Sequence, residues 1–88
     1  MSTQHIVAWN VRGLNMKARR DVVKELVLHE RASIICLQGT KQDSVPVRLV
    51  YELAGTDFDY SFLAADGASG GVLVAWRRDL WQGTGAVM

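Results

Sequence analysis

One cysteine, two histidines and almost no imbalance of charge leave this chain short of several common chemistries. With Cys36 alone, no intramolecular disulfide can staple the fold, so the chain suits a reducing compartment. Its place inside an apolar run predicts a buried, inert core thiol. Ten Lys and Arg against nine Asp and Glu leave a net charge of +1, without the basic excess that announces nucleic acid. No apolar run is long enough to span a membrane. Met1 to His5 lacks the basic and apolar regions of a signal peptide. Internal repeats, low-complexity tracts and linkers are missing too. The expectation is a soluble intracellular domain, with nothing to separate nucleus from cytoplasm.

What is present describes an ordinary globular chain. Hydrophobic residues make up 49% and charged residues 22% of 88 positions, enough for one small domain over residues 1–88. Gln4 to Asn10 carries Ile6, Val7, Ala8 and Trp9, a short apolar run suited to a buried strand. Asn15 is placed to cap a helix from Met16, in which Val22, Val23, Leu26 and Val27 form one apolar stripe. That helix should fade near Glu30 to Ala32. Ser33 to Gln38 reads as a second strand, without polar alternation, as expected of a strand covered on both faces. Strand, helix and strand at this spacing make a βαβ unit with parallel strands.

Ser44 and Pro46 open a shorter helix over Val47 to Ala54, with Leu49, Val50 and Leu53 inward and Gly55 as its stop. Phe58 to Ala64 and Val72 to Trp76 read as strands three and four. The turn between them, Asp66 to Gly71, is too short for a crossover, so the pair should be an antiparallel hairpin. From Gln82 to Met88 the chain reads as a turn and the opening of another strand. The fold class is therefore α/β, in the order β-α-β-α-β-β.

Both of the first two strands end in polar residues, where an α/β sheet presents chemistry to solvent. The first exit reads Trp9-Asn10-Val11-Arg12-Gly13-Leu14-Asn15. The second reads Leu37-Gln38-Gly39-Thr40-Lys41, and the fourth strand is entered through Gly67-Ala68-Ser69-Gly70-Gly71. Taken singly, each has a plain reading. Asn10 suits hydrogen bonding to its own loop, the glycines suit a tight turn, and Trp9 and Trp76 suit packing. A nucleotide-binding P-loop is excluded, because no Gly-Lys-Thr/Ser follows Gly71. His5 and His29 read as polar residues at a terminus and near a helix end. Asp57-Phe58-Asp59 reads as a polar approach to a strand. The basic clusters Lys17-Ala18-Arg19-Arg20 and Arg77-Arg78 fit either solvated ends or contacts to a phosphate backbone.

In this order, the three segments resemble the endonuclease/exonuclease/phosphatase superfamily, and most of all the endonuclease domain of plant LINE-type retrotransposons. The resemblance implies the first part of a two-sheet α/β sandwich, a magnesium-dependent phosphodiesterase or endonuclease, and DNA as partner. It gives Asn10 the metal-contacting position. It gives the second motif the form Leu-Gln-Glu-Thr-Lys, whose glutamate holds magnesium, but here Gly39 stands in the glutamate's place. Lys41 is retained as a vestige of the catalytic set, and Arg12 takes a position near the metal where the LINE-type branch commonly has arginine.

The family's later tyrosine, its Gly-Asp-x-Asn motif and its closing Asp-His pair have no counterpart in the sequence. With no catalytic set complete, the chain is expected to be an inactive fragment whose magnesium binding is doubtful. The alternatives are a non-catalytic protein- or nucleic-acid-binding module, or a decayed gene fragment without a selected function. A missing second sheet predicts exposed apolar surface, and with it marginal stability, self-association or a partner that completes the sandwich.

Overall fold

A computed structural model of the chain describes residues 5–66 and 70–79. The elements are β1 (Ile6–Asn10), α1 (Lys17–Glu30), β2 (Ile34–Gln38), α2 (Val47–Ala54), β3 (Phe58–Leu63) and β4 (Val72–Arg77). This is the expected α/β order. Gln4, Gly67 to Ser69 and the strand expected after Gln82 lie outside the described residues.

The four strands form one sheet in the order β1-β2-β4-β3. β1 and β2 are parallel, with Asn10 beside Gln38, and α1 provides the crossover between them. β3 and β4 make the expected antiparallel hairpin, and β4 joins it to β2. The Arg78 guanidinium closes the far end of that hairpin, donating to the carbonyls of Phe58 and Thr56 and to the Asp59 carboxylate.

Register separates the two faces of the sheet. Val7, Ile35, Ala75 and Tyr60 align across one face, followed by Trp9, Leu37, Leu73 and Phe62. Both helices pack here, and Val23, Val27, Leu49, Val50 and Leu53 join the strand residues in one core. Fully burying each such aliphatic side chain contributes about 1.5–3 kcal/mol. An Arg20–Glu52 ion pair of 2.8 Å links α1 to α2.

The opposite face carries Ile6, Ile34 and Trp76, then Ala8, Cys36 and Val74, then Val72 and Leu63. Among the described residues no element covers it, and Ile6 and Leu63 are 62% and 70% exposed. This corrects two expectations. β2 is covered on one face only, because Ile34 and Cys36 project to the open side while Ile35 and Leu37 are buried. For the same reason Cys36 is half-buried and is not a core thiol.

Helix boundaries follow local chemistry, with one exception. α2 begins after Pro46 and stops at Gly55, whose φ of +95° suits glycine. α1 ends with Arg31 in a left-handed cap, its N–H directed at the carbonyls of Leu28 and Val27. Its start differs from expectation. Met16 is the cap residue and makes no side-chain cap bond. Asn15 is not the cap, because its Oδ1 accepts instead from Gln42 Nε2 at 2.7 Å. The apolar stripe is also narrower than expected, since Val22 is 49% exposed at its edge.

Candidate functional site

The parallel pairing of β1 and β2 brings both of their C-terminal exits to one end of the sheet, and the antiparallel β4 begins at that same end. Main-chain hydrogen bonds join the three segments. Val11 N–H donates to Gln38 O at 2.9 Å, Gly13 N–H to Gly39 O at 2.7 Å and Leu14 N–H to Thr40 O at 3.0 Å. From the other side, Gly39 N–H donates to Gly71 O at 2.8 Å and Lys41 N–H to Gly70 O at 2.9 Å. Asn10, Gly39 and Lys41 thus lie at one end of the sheet.

Two glycines make this arrangement possible. Gly39 has φ +72°, and a Cβ on it would lie 2.7 Å from Asn10 Oδ1. Gly71 has φ +91°, and a Cβ there would overlap the hydroxyl of Thr40, a fully buried residue. The glycine-rich entry to β4 therefore lets two backbones approach where a side chain would separate them.

Asn10 Oδ1 is turned toward its own loop and accepts from Arg12 N–H at 3.3 Å. The plain reading of Asn10 is thus realised in the geometry. Arg12 and Lys41 adopt left-handed conformations, with φ of +56° and +58°. The Lys41 stem runs beside Gly13, whose added Cβ would lie 3.4 Å from Lys41 Cδ. Arg12, Lys41 and Arg19 line a cleft of about 210 Å³, with Gly13, Asn15 and Met16 completing the wall. Sequence reasoning placed Arg19 in a basic cluster and missed its membership of this cleft. The available signal was its position in the first turn of a helix that starts directly after the motif.

These residues do not fit a magnesium ion. Magnesium is held through carboxylates, waters and substrate phosphate, but position 39 offers only backbone. No cluster of three or more His, Cys, Asp or Glu suited to a metal occurs among the described residues. The neighbouring cleft is lined by Arg12, Arg19 and Lys41 without a carboxylate, and neither Asn10 nor Gly39 is part of its wall.

The remaining candidates have structural occupations. His5 Nδ1 lies 2.7 Å from Glu30 O, and His29 Nδ1 lies 3.4 Å from the Glu30 carboxylate. Lys17 pairs with Asp21, and Arg19 donates to Val11 O. Arg77 pairs with Asp79, and that partnership raises the guanidinium's pKa. Both basic clusters are therefore engaged within the fold. Among the described residues, no helix is long and apolar enough to cross a membrane.

Comparison with solved structures agrees with this architecture. An AP endonuclease, LMAP, from Leishmania major superposes with a TM-score of 0.62 at 19% identity, covering 83% of this chain and 23% of that one. The 3′ phosphatase NExo from Neisseria, bound to a product DNA hairpin, superposes with a TM-score of 0.63 at 26% identity, covering 82% of this chain and 26% of that one. The chain thus spans about a quarter of the length of each. No curated protein matches the sequence. The Endonuclease/Exonuclease/phosphatase family model matches residues 7–86. With that match over most of its length, and with the fold it shares, this chain belongs to the endonuclease/exonuclease/phosphatase family.

Proposed function

We propose that residues 1–88 are the N-terminal part of a DNA-directed phosphodiesterase or endonuclease domain of the LINE-type branch, catalytically silent as they stand. The observation that carries the proposal is the Gly39 corner. The position that the resemblance assigns to a magnesium-binding glutamate is a left-handed glycine, and a Cβ added there would lie 2.7 Å from Asn10 Oδ1. Phosphodiester hydrolysis needs a cation to activate water and to neutralise the transition state. At position 39 glycine offers no carboxylate with which to hold one. Catalytic groups that act as a unit also fail as a unit, and the sequence contains neither the family's Gly-Asp-x-Asn nor its Asp-His pair.

The purified chain is expected to leave supercoiled plasmid intact in magnesium, at the level of a buffer control. Robust nicking would sink the proposal. Gly39→Glu alone should not create activity, because the new side chain would start from a left-handed backbone and meet Asn10.

The alternative of a binding module that uses the basic clusters is weaker, since Arg20, Arg77 and Arg78 are already paired with Glu52, Asp79 and Asp59.

A further inference from the structure

Among the described residues β1 is an edge strand, paired with β2 on one side and with no strand on the other. Its residues, Ile6–Asn10, include no proline, lysine or other charged side chain of the kind that guards an exposed edge. The bonds it already makes fix the direction of its open ones. His5 O and Val11 N–H are engaged by β2, and strand residues point their main-chain groups to alternate sides. Ile6, Ala8 and Asn10 therefore direct theirs outward, and all three residues are exposed. Beside this edge lies a groove of about 460 Å³ lined by Trp9, Val22, Glu25, Leu26 and His29. An α-helix turns about 100° per residue, which sets these α1 residues opposite Arg20, the residue that faces α2 through Glu52. The groove thus overhangs the open edge of β1, on the flank of α1 away from α2.

From these observations we propose that a second copy of this chain docks on this flank, pairing β1 antiparallel with β1 of its partner about a two-fold axis at Ala8. In that register Ala8 faces the partner's Ala8, and Ile6 faces the partner's Asn10. These are the residues whose main-chain groups point outward, so each pair exchanges both of its N–H···O bonds. Val7 falls opposite the partner's Trp9 on the helix-covered face, as a non-hydrogen-bonded pair with the closer approach of side chains. The same axis lays α1 antiparallel to its copy. Glu25 and His29 stand one turn apart in the groove, so Glu25 of each chain meets the partner's His29. An unrelated partner would have to match both the strand register and these charges, whereas a copy matches both by symmetry. The open face of the sheet takes no part in this contact.

Amide hydrogen exchange of the 88-residue chain, followed by NMR from low to high concentration, reads this edge directly. Exchange at Ile6, Ala8 and Asn10 should slow by about fivefold or more across that range. Ala8→Pro removes an outward N–H and no bond to β2, so the dimer constant from sedimentation equilibrium should weaken by about tenfold or more. Glu25→Lys sets a cation against the partner's His29, and His29→Glu sets carboxylate against carboxylate. Each should weaken the dimer by about threefold or more, and Glu25→Lys/His29→Glu, which only reverses the pair, should restore it. That recovery keeps the test decisive should Ala8→Pro fail to fold. Slow exchange at Ala8 at every concentration would put the chain's own residues on the edge, and fast exchange at every concentration would leave the edge open. Either result would overturn the proposal, as would an Ala8→Pro chain that dimerises like its parent or a double charge variant no better than the singles.

Discussion

Adding a methyl group to Gly39 would place a carbon 2.7 Å from Asn10 Oδ1, on a backbone already at φ +72°. The left-handed conformation alone costs a residue with a Cβ roughly 1–2 kcal/mol, and the overlap adds to it. We therefore expect Gly39→Ala to lower unfolding stability by about 1–3 kcal/mol, read as a shift in the urea midpoint. In an Asn10→Ala background the same change should cost less, because the overlapping oxygen is gone while the backbone penalty stays. An unchanged midpoint in the single variant would show that the turn tolerates a side chain. By resemblance alone, the surrounding residue types lead one to expect a carboxylate at this position. They do not announce what fills the gap. That depends on the Asn10 side chain and the local φ, neither of which a residue name specifies.

At the scale of elements, α2 was legible in full. Pro46 before it and Gly55 after it act locally, and Leu49, Val50 and Leu53 mark its inner side. Leu53 is 3% exposed and sits among the core residues. Leu53→Ala should cost about 2–5 kcal/mol, measurable in a thermal or urea melt. A loss under about 1 kcal/mol would mean that α2 is only loosely docked. The start of α1 was misread for a physical reason. Asn15 obeys a partner 27 residues away, Gln42, and local capping preference has no view of such a contact. β2 shows the same limit from another side. An unbroken apolar strand announces that it suits burial on both faces, but not whether both covers are present.

At the scale of the whole molecule, the open sheet face decides behaviour in solution. Ile6, Ile34, Trp76, Cys36, Val74, Val72 and Leu63 share that face without a covering element among the described residues. The matched part of this chain covers 23% and 26% of the two solved neighbours, and large contiguous apolar surface is uncommon on a soluble monomer. We expect the 88-residue chain to self-associate as its concentration rises in sedimentation velocity, and Val74→Lys to shift it toward monomer. A monomer that unfolds cooperatively at every concentration would contradict this.

Strand order carries a further consequence, for the moment of synthesis. β4 is the last strand described, yet it lies in the interior of the sheet between β2 and β3. A ribosome delivers the N-terminus first, at about 5–20 residues per second. β1, α1 and β2 therefore emerge and can pair while the other flank of β2 waits for residues 72–77. For that interval the nascent chain exposes hydrogen-bonding backbone along an apolar strand, so the order of the sheet sets a window in which a chaperone or another nascent chain can compete for β2.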